Sequence, residues 1–189
     1  MSEIYENIDD IIEGCILKRE KDIELLYKKY FGYSLNVALL YVKNRSDAIE
    51  IVDDAFLKVL KEIKSYNREF PFRFWIRRIV INTAIDSIRR RKRWVFWESA
   101  DEINESTCAV EDPLDNSAAN DILKIVNLLP QIQRAVFCLF EIEGFTHKEI
   151  AKKMHIAESS SRVYLTRAKE RLRDLYDRHF NQNSISDNN

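Results

Sequence analysis

With 189 residues, 46% hydrophobic and 32% charged, the chain has the make-up of a globular protein of one domain or two small ones. Three glycines and three prolines leave few strand-turn signals, so an all-α fold is expected. The acidic start Met1-Ser-Glu-Ile-Tyr-Glu lacks the basic opening of a secretory signal, and no apolar run approaches the roughly 18 residues of a membrane span, so a cytoplasmic protein without membrane insertion is expected. Cys15, Cys108 and Cys138 lack disulfide or zinc spacing. His147, His155 and His179 lack metal-ligand spacing and read as surface or capping residues, so neither a metal nor a cofactor is expected. The net charge of −1 conceals blocks of opposite sign: residues 68–93 hold nine basic and two acidic residues, 94–120 seven acidic and no basic, and 130–180 ten basic and seven acidic. Local basic blocks of this kind steer a protein to phosphate.

In chain order, residues 22–43 place Leu25, Leu26, Tyr30, Tyr33, Val37, Leu40 and Tyr41 at helical spacing. A second helix is predicted from about Asp47, with Ser46 as N-cap, Asp47 and Glu50 in the first turn, and Ile51, Val52, Ala55, Phe56, Val59, Leu60 and Ile63 on one apolar face. Ser65–Pro71 reads as a loop, because proline disfavours helix just before it. A third helix is predicted from Phe72 to Arg93. After Trp94-Val-Phe-Trp97 the composition is acidic and small, with Pro113 and no apolar periodicity, and residues 94–120 read as a flexible linker. Fully extended, 27 residues reach about 90 Å at roughly 3.3 Å each. The second domain starts at Ile122–Leu129. Pro130 suits a first helical turn, Ile132, Val136, Leu139 and Phe140 continue the stripe, and Gly144 is a C-cap glycine. The expected organisation is therefore two small helical domains, 1–93 and 121–180, joined by the acidic linker 94–120 and followed by a disordered tail, 181–189.

Residues 146–172 carry the sharpest local signal. Thr146-His-Lys-Glu149 fits a capping box, Ile150, Ala151 and Met154 form an apolar face, and His155-Ile-Ala157 is the turn of a helix-turn-helix. The second helix starts at Glu158 or Ser159. It buries Ser161, Leu165, Ala168, Leu172 and Leu175 and presents Ser160, Arg162, Val163, Thr166, Arg167 and Lys169 to a DNA major groove. The forked guanidinium groups of Arg162 and Arg167 suit guanine O6 and N7, each such pair contributing roughly 1–3 kcal/mol of discrimination. Ser160 suits a phosphate, and Val163 and Thr166 a thymine methyl.

The upstream basic segment, Tyr66 to Arg93, interleaves arginines with aromatic rings, which suits unpaired strands. Arg78, Asn82, Arg89 and Arg93 share one helical face, with Asp86 expected to pair with Arg89, Arg90 or Arg78. Asn82 has the donor and acceptor needed to read a base edge. Phe72, Phe74 and Trp75 read as core, which leaves Tyr66, in the loop, as the stacking ring. No nucleophile–base set or phosphate loop appears, so an enzyme is not expected.

Taken in order, Asp47-Ala-Ile-Glu-Ile-Val-Asp-Asp-Ala-Phe56, Phe74-Trp-Ile-Arg-Arg-Ile-Val-Ile-Asn-Thr-Ala-Ile-Asp86 with Arg89-Arg90, Leu129-Pro130, and Glu143-Gly-Phe-Thr-His-Lys-Glu-Ile-Ala151 with its following basic helix resemble the sigma factors of bacterial RNA polymerase, in their extracytoplasmic-function (ECF) group. The resemblance covers about two thirds of the chain, as regions two and four. It implies that the helix holding Asp47, Glu50, Ile51 and Asp54 docks on the clamp of the polymerase β′ subunit. It further implies that Tyr66 and Asn82 hold a base flipped from the −10 element, that Arg78 and Arg89 support the melted strand, and that Arg162, Val163, Thr166 and Arg167 read the −35 element. The linker resembles the segment threading the polymerase's nucleic-acid channel, and an anti-sigma factor is an implied partner beside core polymerase and promoter DNA. The chain departs from the family in having Asp53 where Gln is usual, His155 where Gly is frequent, Ser159-Ser160 for Gly-Thr, and Tyr164 for Arg. A stand-alone helix-turn-helix repressor or activator would account for 130–176 but not for Tyr66–Arg93. An RNA-binding or degenerate enzyme domain would account for the basic patch but not for the helix-turn-helix.

Overall fold

The computed structural model describes residues 7–98 and 126–186, and their side chains at 7–91 and 126–177. The predicted linker beyond residue 98, the tail from 187 and the side chain of Arg93 lie outside the described residues. All regular structure among the described residues is helical: α1 Ile8–Ile16, α2 Glu20–Leu39, α3 Arg45–Glu62, α4 Phe72–Glu98, α5 Gln131–Phe137, α6 His147–Met154 and α7 Glu158–Ser186. No helix among the described residues is long and apolar enough to cross a membrane. Two compact units divide the chain, Met1–Leu39 with Arg45–Ala84, and Leu40–Asn44 with Ile85–Asn189.

In the first unit, α1 is an element the sequence reading passed over. Asn7 caps it, its side chain accepting from the Asp9 amide at 3.3 Å, and Ile11, Ile12 and Cys15 are buried. Burial pushes the Cys15 thiol up to about 11, so it is a packed, unreactive group. Helix α1 packs against α2 and against a single 3-10 turn, Ile63–Ser65. Helix α2 ends at Leu39, so Leu40 and Tyr41 lie beyond it. Helix α3 begins at Arg45, which puts Ser46 inside the first turn rather than at the N-cap. Of its predicted apolar face, Ile51, Val52, Ala55, Phe56 and Val59 are buried, joined by Ala48, while Leu60 is half-buried and Ile63 is buried in the 3-10 turn. Helix α4 buries Phe72, Ile76, Ile79, Val80, Thr83 and Ala84 in this unit and runs on to Glu98, five residues past its predicted end at Arg93. The cost of hiding the Thr83 hydroxyl is offset by two hydrogen bonds: it donates to the Ile79 carbonyl at 2.8 Å and accepts from Lys58 Nζ at 3.0 Å.

In the second unit, α5 starts after Pro130, which occupies the N-cap, and passes into a π-helical segment, Cys138–Ile142. Gly144 follows at φ 73°, a conformation open to glycine at no steric cost, and ends the helix as predicted. Helices α6 and α7 form the helix-turn-helix: α7 packs on α5, α6 packs on α7 and on the π-helical segment, and Ile150, Met154, Leu165 and Ala168 are buried.

Candidate nucleic-acid interfaces

On α4, steps of four residues carry one stripe through Phe74, Arg78, Asn82 and Asp86, with Arg89 three residues further on. Arg78 is exposed, and Asn82 and Arg89 are half-buried. Asp86 pairs with Arg89 at 3.1 Å, one of the three partners expected for it. Arg78 forms no ion pair among the described residues.

Tyr66 is only half exposed. Its ring lies edge-on to Phe72 at 5.2 Å and tilted against Trp75 at 5.4 Å, and its hydroxyl donates to the Phe70 carbonyl. The loop after it is braced by Asn67, whose side chain accepts from the Glu69 amide at 3.0 Å and donates to the Glu69 carboxylate at 2.8 Å. The reading of the three rings in the Phe72–Trp75 turn as core holds for Phe72, 2% exposed, and fails for Phe74, 64% exposed. Phe72 and Phe74 stand about 200° apart on the helix, so both cannot face one core. Phe70 is 63% exposed. These two rings are the surface residues the sequence reading missed.

On α7, Arg162, Val163, Thr166, Arg167 and Lys169 are exposed and Ser160 is half-buried, while Ser161, Leu165 and Ala168 are buried. The face is prepared to different degrees along its length. Arg162 is paired with Glu158 at 2.6 Å, and Lys169 with Glu141 at 2.7 Å. Thr166 donates to the Arg162 carbonyl at 3.1 Å. Arg167 forms no ion pair among the described residues and borders a cleft lined by Gln133, Glu170, Arg171, Asp174 and Leu175.

Short-range contacts fix how α7 is presented. The capping box forms in full: the Glu149 amide donates to the Thr146 hydroxyl oxygen at 3.3 Å, and the Thr146 amide donates to the Glu149 carboxylate at 2.8 Å. These hydrogen bonds hold the Glu149 carboxyl below its usual range. His147 Nδ1 lies 3.0 Å from the Ser161 hydroxyl, tying α6 to α7, and its ring stacks on Phe140 at 4.6 Å. Burial, and then the nearby Arg162 charge, depress the His147 pKa below 6.5. His147 is thus a half-buried link between α6 and α7, more than the surface or capping residue expected. His155 closes α6 in the left-handed conformation, φ 52° and ψ 51°, the position where glycine would be free of strain.

On α3, Glu50 is exposed and Asp47 and Asp54 are half-buried, so all three reach the surface. Ile51, expected to meet a partner, is 2% exposed and belongs to the core: it falls on the apolar face with Ala48, Val52 and Ala55. Leu57, 67% exposed, and Asp53 are exposed in the middle of α3 and were absent from the docking set. Asp53 accepts from the Tyr27 hydroxyl at 2.8 Å, and burial followed by this contact pushes Tyr27 up to about 12.

The Sigma-70 region 2 family model matches residues 26–94 and the Sigma-70, region 4 model residues 119–172, so the candidate DNA-binding residues of both helices lie in matched stretches. The ECF RNA polymerase sigma factor SigE of Mycolicibacterium smegmatis is 28% identical over 76% of this chain, which spans 57% of that protein. The ECF RNA polymerase sigma-E factor of Haemophilus influenzae is 26% identical over 81% of this chain and 86% of its own length. The ECF RNA polymerase sigma factor SigM of Bacillus subtilis is 25% identical over 84% of this chain and 98% of its own. Among solved structures, the sigma factor RpoE of Bartonella quintana, crystallised with the anti-sigma factor NepR, shares the fold with a TM-score of 0.50 and 22% identity, over 83% of this chain and 98% of that one.

Proposed function

We propose that this chain, which belongs to the ECF group of bacterial RNA polymerase sigma factors, divides promoter recognition between α7 and α4. As a sigma factor it binds core RNA polymerase, recognises −35 and −10 promoter elements and starts melting for transcription initiation. On the reading proposed here, the 121–180 domain lays α7 in the major groove of the −35 element. Arg167 and Arg162 bond base edges, Val163 and Thr166 meet methyl groups, and Ser160 and Lys169 bind phosphate. The 1–93 domain holds the −10 element: Asn82 reads an unpaired base, Tyr66 closes over it, and Arg78, Arg89 and Arg93 neutralise the strand. Asp47, Glu50 and Asp54 on α3 meet the polymerase, and the acidic linker 94–120 threads its nucleic-acid channel. The protein works in the cytoplasm without catalytic chemistry of its own, and an anti-sigma factor holds it inactive.

The observation that carries this division is that each surface exposes an arginine outside any ion pair among the described residues in line with its polar reader, Arg78 on α4 and Arg167 on α7. Each is ready for DNA without first giving up an internal partner. The test is transcription by holoenzyme reconstituted from core polymerase and this chain, on promoters selected from genomic DNA by that holoenzyme. Asn82→Ala is expected to lose strand opening while keeping −35 duplex binding, and Arg167→Ala the converse. Identical defects in the two would overturn the division.

A further inference from the structure

Glu158 opens α7 and is the only acidic residue of that helix before Glu170, yet it heads a surface of Arg162, Thr166 and Arg167. Its carboxylate accepts from Arg162 Nη2 at 2.6 Å, and both side chains stay open to solvent, 44% and 63% exposed. An exposed pair of this kind adds little stability. Its place is more telling. A helix entering a major groove puts its N-terminal residues against base edges. A carboxylate there is repelled by the phosphates, by O6 and N7 of guanine and by O4 of thymine, so it needs a donor.

The turn that carries the pair is anchored. Ser161, between the two partners, is fully buried, and its hydroxyl lies 3.0 Å from His147 Nδ1. Lys169, by contrast, is held by Glu141, which belongs to the π-helical segment outside α7. A carboxylate has two oxygens and a guanidinium five N–H donors, so one shared hydrogen bond leaves both groups with capacity for DNA. Glu158 and Arg162 stand one turn apart, about 6 Å along the axis, which exceeds the step of about 3.4 Å between base pairs. The pair therefore offers a fork of donors to one base pair and an acceptor to its neighbour. Guanine supplies acceptors for the fork. Cytosine presents only its N4 amine donor in the major groove, which suits the carboxylate.

We infer that Glu158 is a further specificity-determining residue of α7: held against Arg162, it accepts through its free oxygen from the N4 amine of a cytosine beside the guanine that Arg162 bonds. The inference rests on the reading of α7 as the −35 helix, and it makes one ion pair the reader of a two-base step. A promoter lacking that cytosine leaves the carboxylate without a donor or facing an acceptor, and is rejected on that account.

The experiment uses holoenzyme and a library of one selected promoter with its −35 element randomised, from which bound fragments are sequenced. With the unsubstituted chain, one position beside a selected guanine is expected to hold cytosine. Glu158→Ala should flatten that position, a loss of roughly 5- to 150-fold in preference for cytosine, while the guanine preference persists. Glu158→Gln should move the preference toward adenine, whose N6 and N7 an amide bonds together. Arg162→Ala should lose the guanine. The melting temperature of both Glu158 variants should stay within about 3 °C of the unsubstituted chain, since the lost pair is exposed. Unchanged base preferences in both variants would overturn the proposal, and a lower melting temperature beside them would make the pair a brace of the helix only. Arg167→Ala separates the two readings. If it too alters no −35 position, α7 is not the −35 helix; if it flattens a position of its own while the Glu158 variants change none, only the cytosine reader falls.

Discussion

The exposed stripe of α4 and the exposed face of α7 both combine arginine with a polar reader, yet they differ in what surrounds those groups. The α4 surface opens with two bare aromatic rings and places Asn82 two turns behind one of them. The α7 surface offers Val163, Thr166 and arginines and no exposed ring up to Arg173; Tyr164 is half-buried. Flat rings serve DNA whose base faces are open, and slim or forked side chains serve base edges at the floor of a groove. The two surfaces are also built differently. The α4 stripe is the back of a helix whose other side is apolar core. The α7 face depends on a few local links: the capping box, the His147–Ser161 contact and the left-handed His155.

The strongest way to break this comparison is to exchange the defects. Arg167→Ala is expected to weaken binding to a −35 duplex by roughly 1–3 kcal/mol and to leave binding to a pre-melted promoter lacking that element unchanged, as gel-shift titrations with holoenzyme would read. Asn82→Ala should give a comparable loss on the pre-melted promoter alone, and permanganate reactivity of the −10 thymines should fall with it.

Smaller effects sharpen the structural half of the comparison, since they should reach the helix-turn-helix and spare the first unit. Thr146→Ala removes the cap of α6 and is expected to destabilise the second unit by about 1 kcal/mol in thermal unfolding. His155→Gly relieves the left-handed residue and should stabilise the same unit by about 1 kcal/mol. The pH response should be smallest. The pKa of His147 is lower in the folded state than its ordinary value of 6.5, so the unfolded chain takes up the proton first as pH falls. Stability is therefore full above about pH 6.5 and declines below it, until the folded-state pKa is passed. Melting temperatures from pH 7.5 to 5.5 should fall more steeply for the unsubstituted chain than for His147→Gln.

The helix-turn-helix was legible nearly residue by residue because its signals are local: a cap, a glycine stop and a stripe that repeats every three or four residues. The same holds for the stripe Arg78–Asn82–Arg89, whereas for Asp86 three partners were open and Arg89 is one of them. Ile51 was misplaced by letting a resemblance outrank helical phase, although its neighbours Val52 and Ala55 already marked the apolar face. Phe74 was misplaced by reading aromatic character as burial. It is in phase with Arg78 and Asn82, and that phase placed it on the surface. Helix α1 was overlooked although Ile8, Ile11, Ile12 and Cys15 carry its spacing; at nine residues it is short, and only packing on its neighbours gives it stability. The end of α4 at Glu98 was not legible, because the composition turns acidic before the helix stops.

The docking of α1 on the 3-10 turn Ile63–Ser65 carries a practical consequence. Trimming the polypeptide to residue 26, where the family match begins, would strip Ile11, Ile12 and Cys15 from beneath the hinge that launches the aromatic loop. Amide exchange at Tyr66–Phe70 should then quicken, and a fragment cut for convenience would report a slacker grip on separated strands than the intact molecule has.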